Sequence, residues 1–255
     1  MAHVLAEARS GGAIPRVLHQ IYLSGELPPE LRRIVLNNLA GNPGWEHRLY
    51  DATAGEAFIA GHYGTETLGL YRRINPAYGA ARADFLRYLI LYCEGGVYLD
   101  IKSRCTRPLD TVIRSDDRLI LSRWRNAPGE TYAGFGLHRD LAHVPGGEYQ
   151  NFHIIAAPGH PALKAVIERV SRNIRAYRPW SAVGRTGVLR TTGPIAYTLA
   201  LLDHAQDART VKHEGELGLE PFMPHYRPQE AFGKHYSKLT APVVTLGPIG
   251  TLLSK

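Results

Sequence analysis

The sequence predicts an α/β fold: one domain on a central, mostly parallel sheet with helices on both faces. Three observations carry this. The segment Val17 to Leu23 is apolar on both sides, with Val17, Ile21 and Leu23 on one and Leu18 and Tyr22 on the other, the pattern of a central parallel strand. Leu31, Ile34, Val35 and Leu39 then recur at helical spacing within Pro29–Ala40, Gly41 stops that helix, and a second short strand, Glu46–Tyr50, closes on Asp51. A helical run that breaks at Gly95-Gly96 leads into a third strand, Val97-Tyr98-Leu99.

The alternation continues past Asp110. Arg118–Trp124 reads as a strand, and the stretch from Arg125 to Gln150, dense in Gly, Pro, His and aromatic residues, reads as a lid or binding loop. Phe152–Ala156 is the next strand. Pro161 suits a first helical position, and Leu163, Val166, Ile167, Val170, Ile174 and Tyr177 make the apolar stripe of the helix behind it. Gly193–Leu202 reads as a further helix, and the last forty residues, with several prolines and glycines, as irregular chain. There is no internal repeat.

At 255 residues the chain can bury a full core, and 44% hydrophobic with 21% charged residues is the balance of a globular protein. No apolar run approaches the roughly 18 to 20 residues of a membrane span. The start, MAHVLAEARSGGA, lacks a basic opening and a sustained apolar stretch; it reads as a tail over residues 1–13, not a signal peptide, and the expectation is a cytoplasmic protein. Cys93 and Cys105 read as free thiols of a reducing compartment, and no Cys/His spacing suggests zinc. The net charge of +7 admits anionic partners: nucleoside diphosphates, anionic glycans or a membrane surface. The basic residues are spread along the chain with no patch or module, which argues against nucleic acid.

Asp100 ends the third strand, at the edge where open α/β sheets bind ligands. A carboxylate there can hold a hydroxyl or a divalent cation, or simply cap the next turn. Arg82 and Asp84 open the helix running to Cys93. Asp84 suits a helix start and can pair with Arg87 at i+3, whereas Arg82 opposes the dipole unless an anion lies between it and the helix.

The run YGAARADFLRYLILYCEGGVYLDIKSRCTRPLD, Tyr78 to Asp110, resembles the donor-binding core of glycosyltransferase family 32, whose pattern is RADxLRYxxLxxxGGxYxDxD. The opening RVLHQIYL resembles that family's IPKxIHQxW, and NFHIIAAPGHP and Thr192-Gly193-Pro194 match its later elements. The resemblance implies a GT-A-like, Rossmann-like architecture, with 14–110 as the donor core and 111–255 as the acceptor side of a single domain, 14–255. It implies retaining transfer of a hexosyl group from a nucleoside-diphosphate sugar to a glycan or glycolipid hydroxyl, in bacterial surface or capsular polysaccharide synthesis. A lipid-linked acceptor would bring the protein to the inner face of the membrane without a spanning segment.

Carried onto this chain, the donor-binding residues are His19, Gln20, Tyr22, Arg82, Asp84, Asp100, Asn151, Gly193 and His235, with Arg82, Asp100 and Lys102 in the catalytic role. His19 and Gln20 have a second reading, as a hydrogen-bonded polar pair inside a core strand. Tyr22 is placed to stack the base, and Asp51 is a weaker candidate. In the long loop, Tyr132, Phe135, His138, Arg139, Asp140 and His143 are acceptor-wall candidates.

One position departs from the pattern. Where the family carries the second aspartate, the direct metal ligand, this chain has Lys102. Two readings follow: Lys102 itself offers positive charge to the diphosphate, or Mn²⁺ or Mg²⁺ is held by Asp100 and His235. A site that lost its metal altogether would leave a non-catalytic nucleotide-sugar or glycan binding module.

Overall fold

A computed structural model describes residues 12–178, 180–211, 213–221 and 236–245. Six strands form one sheet in the order β2-β1-β3-β6-β5-β7: β1 is Val17–Ile21, β2 Glu46–Tyr50, β3 Gly96–Leu99, β5 Leu119–Ser122, β6 His153–Ala156 and β7 Arg209–Val211. β1 pairs in parallel with β2 and β3, and β5 with β7, while β6 runs antiparallel to both β3 and β5. The sheet is thus mostly parallel with one reversed strand, as an α/β reading requires. A second, two-stranded sheet pairs β4, Arg104–Cys105, with β8, Leu219–Glu220.

The helices divide unequally between the faces. On one lie α2 (Ala52–Arg73), α3 (Gly79–Glu94), α4 (Pro161–Ala176), α5 (Gly184–Thr191) and α6 (Pro194–Leu201), which share the main core with Tyr98, Ile154 and Ala156. On the other, Leu18, Val97, Leu99 and Ile155 pack with Leu109, Val112, Leu217 and Leu219. There α1, Pro29–Ala40, sets Leu31 and Val35 against Tyr22 and Ile101.

Local chemistry explains most boundaries. Pro29 begins α1, and the Asp51 carboxylate accepts the Ala54 amide to cap α2, so Asp51 has a structural task. α2 is two helical segments joined at Gly64, whose φ of 73° favours glycine. α3 is buried almost all round from Phe85 to Leu91, and each fully buried Leu or Phe is worth about 1.5–3 kcal/mol.

Several elements differ from the sequence reading: β4, β7 and β8 were not read as strands, and β8 falls within the last forty residues, expected to be irregular. α3 begins a turn earlier than expected because the Asn75 side chain accepts the Ala77 amide and its carbonyl accepts Tyr78, a turn that launches the helix at Gly79. Arg82 and Asp84 are therefore its fourth and sixth residues, and the argument from the helix dipole no longer applies to either. α5 was not anticipated, and Gly193 caps α6 instead of opening it.

Candidate active site

β3 delivers Asp100 to the C-terminal edge of the sheet. The Asp100 amide donates to the Phe152 carbonyl at 2.7 Å, so the residue still belongs to the β3–β6 ladder. The chain then turns, with the Ser103 amide donating to the Asp100 carbonyl at 2.8 Å. Ile101 anchors the turn in the cluster with Tyr22, Leu31 and Val35. Asn38 of α1 clamps it from below, donating to the Ser103 carbonyl at 3.0 Å and accepting the Cys105 amide at 2.9 Å. Asp100 and Lys102 are thus the first and third residues of a pinned turn.

Above Asp100 sits Arg87 of α3, which organises the site. Its guanidinium reaches Asp84 at 3.1 Å, Asp100 at 3.2 Å and the Asn151 carbonyl at 2.6 Å, and it lies over the Tyr98 ring 4.4 Å from the centroid. Asp84 also accepts from the Asn151 amide at 3.2 Å and the Thr192 hydroxyl at 3.0 Å. Tyr98 donates its hydroxyl to Asp100 Oδ1 at 2.8 Å, and Tyr88 donates to the Thr192 carbonyl at 2.9 Å.

The two carboxylates face different surroundings. The Asp84 side chain is 8% exposed and Asp100 24%. Burial raises the Asp84 pKa to about 6, against the opposing pull of Arg87 and the Thr192 hydroxyl. Burial works against the Arg87 charge, but Tyr98, Asp100 and Asp84 more than offset it and hold its pKa above the ordinary value. Burial also keeps the Tyr88 and Tyr98 hydroxyls protonated, as donors. Among the described residues, nothing donates to Asp100 Oδ2. Asp84 is an internal strut; Asp100 is the carboxylate that a ligand hydroxyl can reach.

The C-terminal chain closes over this edge. Gly184 packs so tightly on the 3-10 turn Tyr236–Lys238 that an added Cβ would lie 2.8 Å from the Leu239 carbonyl and 3.4 Å from that of Ser237. Burial raises the Tyr236 pKa to about 12, with Asp84, Asp100 and Glu148 adding to the rise and Arg185 opposing it. Glu148, in the long loop, accepts from the Trp124 indole at 2.7 Å and bonds His138 at 2.6 Å. Trp124 in turn packs on Phe152, Tyr132 and Phe135, with ring centroids 5.7, 5.0 and 5.8 Å away.

Of the residues expected from the sequence, Asp84, Asp100 and Asn151 come together, Gly193 joins them through Thr192, and Lys102 follows Asp100 in the turn. Others do not join. His19 is fully buried and bonds the Gly95 carbonyl at 2.9 Å and the Tyr50 hydroxyl at 3.3 Å, towards the C-terminal end of α3, and Gln20 accepts from His47 at 3.1 Å. This is the core-pair reading, and burial lowers the His19 pKa to about 4. Tyr22 is held in the small core under the turn, with no open face for a base to stack on. Arg82 donates to the Ile74 carbonyl at 2.9 Å and lies 5.3 Å over Tyr71, so its partners belong to the end of α2. His235 lies outside the described residues.

Tyr98, Arg185 and Tyr236 were given no role in the site from the sequence, Arg87 entered only as the i+3 partner of Asp84, and Thr192 only as part of the Thr192-Gly193-Pro194 element.

Residues 30–119 match the family described as the glycosyltransferase sugar-binding region containing the DXD motif. The chain is 36% identical over 98 residues to an uncharacterized glycosyltransferase of Acanthamoeba polyphaga mimivirus, covering 38% of each protein. It is 31% identical over 106 residues to inositol phosphoceramide mannosyltransferase 3 of Schizosaccharomyces pombe, covering 42% of this chain and 29% of that one. To the initiation-specific alpha-1,6-mannosyltransferase of the same yeast it is 24% identical over 175 residues, covering 64% and 42%. The chain therefore spans less than half the length of these curated relatives. Among solved structures it superposes on the UDP-bound glycosyltransferase domain from the YGT toxin with a TM-score of 0.53 over 80% of both chains at 8% identity. On the PaToxG glycosyltransferase the TM-score is 0.50 over 76% of this chain and 71% of that one, at 15% identity. At such identities the likeness is one of fold: the architecture is that of the GT-A glycosyltransferases.

Proposed function

We propose that this protein is a retaining glycosyltransferase of the family 32 type, moving a hexosyl group from a nucleoside-diphosphate sugar to a hydroxyl of a glycan or glycolipid. The observation that carries this reading is Asp100, held by Arg87 and Tyr98 at the ligand edge of the sheet, with no donor to Oδ2 among the described residues, inside the region that matches the sugar-binding family. A carboxylate fixed in this way can accept from a ribose or sugar hydroxyl without reorganising, which is what positioning catalysis asks of a protein. In the reaction, the sugar–phosphate bond breaks and the acceptor oxygen bonds the anomeric carbon on the same face, its proton passing to the departing diphosphate. The yeast relatives bear mannosyltransferase names, which makes a mannosyl donor the first to try.

The second reading, a binding module without turnover, draws on Lys102 standing at the second DXD position. One assay separates the two. The protein is incubated with UDP- and GDP-sugars, GDP-mannose included, and sugar release or transfer is followed. Turnover by the wild type, reduced about 10²-fold in Asp100→Asn, is the expected result, by analogy with deletion of a charge-stabilising donor. A donor that binds but is never consumed favours the module, and equal rates for wild type and Asp100→Asn would remove Asp100 from the reaction.

A further inference from the structure

Lys102 puts a positive charge where the sequence resemblance expects the second aspartate, and the site around it is a poor home for a divalent cation. Hard cations want several oxygen ligands. Asp84 is fully engaged by Arg87, Asn151 and Thr192, and Asp100 Oδ1 already takes the Tyr98 hydroxyl and the Arg87 guanidinium. One carboxylate oxygen remains, and the residue that would complete the set is an ammonium, which cannot ligate while protonated. Among the described residues, no group of three His, Cys, Asp or Glu side chains could hold a metal. These residues do not fit a divalent cation, yet a departing diphosphate still needs its charge met.

Two basic residues belong to the segments that build this edge. Lys102 shares the pinned turn with Asp100 and is half-buried. Arg185 is exposed at the second residue of α5, next to Gly184, which packs on the turn that carries Tyr236.

We propose that Lys102 and Arg185 meet the charge of the leaving diphosphate directly, so that the donor site works without a divalent cation. The inference rests on the glycosyltransferase reading above. The sugar–phosphate bond breaks with its electron pair going to the β-phosphate oxygen, which also takes the acceptor's proton. Both cations stay protonated throughout, supplying charge and donors alone. Charge-assisted hydrogen bonds to a phosphate are the strong kind, and losing one costs about tenfold or more in affinity.

The test is calorimetric titration of the full chain with UDP and with GDP, each in EDTA and in Mn²⁺, so that the readout is binding. Wild type is expected to bind one nucleotide within about twofold of the same affinity in both conditions. Lys102→Ala should weaken that binding about tenfold or more, Arg185→Ala somewhat less, and Lys102→Arg about threefold or less. Lys102→Asp should recover binding only when Mn²⁺ is added. Wild-type binding that requires Mn²⁺ would overturn the inference while leaving the transferase reading in place, as would undiminished binding by Lys102→Ala in EDTA. If neither nucleotide binds in either condition, the transferase reading itself falls with it.

Discussion

The two ends of the β1–β3 pair carry polar clusters built from the same parts, and they are put to opposite uses. At the C-terminal edge, Arg87 and Tyr98 hold Asp100 by one oxygen, with no donor to the other among the described residues, and Arg87 also pairs with Asp84. Towards the other edge, His19 meets the Gly95 carbonyl and Tyr50, Tyr50 donates to Glu94 at 3.2 Å, and Arg48 closes on Glu94 and Glu46, both at 2.6 Å. That second cluster is closed by its own ion pairs, with Arg48 and Glu46 partly in solvent. A tyrosine, an arginine and an acid buried near a strand therefore say little until their edge of the sheet is known. The edges also differ in where charge is stored: Arg87 is sealed in at 6% side-chain exposure, whereas Arg48, at 37%, is wetted.

Removing the arginines tests that difference most directly. Arg87→Ala leaves Asp84 buried beside Asp100 with no counter-charge and should cost about 3–5 kcal/mol, as breaking a buried pair does. Urea unfolding at pH 7 measures it. A loss under about 1 kcal/mol would mean that the pocket is far wetter than its burial implies.

Acid should separate the clusters by sign. The His19 pKa is lowered by burial to about 4, so its contribution is present above roughly 6.5 and is lost as pH falls towards 4. His153, lowered by burial to about 3, acts in the same direction. The Asp84 pKa is raised to about 6, so its contribution is full below the ordinary carboxylate range and lost as pH rises through 6. Between pH 6.5 and 4 the two edges therefore oppose one another, each by on the order of 3 kcal/mol. Asp84→Asn should steepen the acid loss of stability and His19→Gln should flatten it, read from urea midpoints at pH 7 and 4.5. Parallel pH slopes in all three proteins would break the comparison.

The smallest effect belongs to the outer arginine. Arg48→Ala should cost under about 1 kcal/mol, because its ion pairs are partly exposed and screened, and the loss should shrink further in 1 M salt. A cost matching that of Arg87→Ala would show that the two edges are built alike.

Much of this architecture was legible because periodicity and punctuation agree along the chain. Pro29, Gly41 and Gly95-Gly96 bound elements where the structure bounds them, and the two-sided apolar pattern of Val17 to Ile21 does mark a central strand. Asp84, Asp100 and Asn151 were legible as parts of a recurring pattern. Arg87 was not, because an acid followed three residues later by an arginine is also the signature of an ordinary surface helix pair. Strand alternation gives the face of His19 but not its distance from the ligand edge, so the sequence left both the site and the core-pair readings open. Arg185 and Tyr236 arrive from more than eighty residues away with no local pattern to announce the meeting, and Thr192 was legible only as part of the Thr192-Gly193-Pro194 element.

The reversal of β6 has a consequence for how this edge is supplied. In an all-parallel sheet, only residues that follow a strand can reach the ligand side. Because β6 runs against β3, with Leu99 opposite His153, the residue that precedes β6 arrives there instead, and Asn151 can meet Asp84. With β6 in the parallel sense, Asn151 would sit at the far edge, roughly 13 Å away for four residues at about 3.3 Å each. The long loop from 125 to 150 thus ends at the site, fastened there by the Phe152 carbonyl under Asp100. A change in that loop's length would be taken up before Asn151, whose place beside Asp84 is set by the register of β6 and not by the loop.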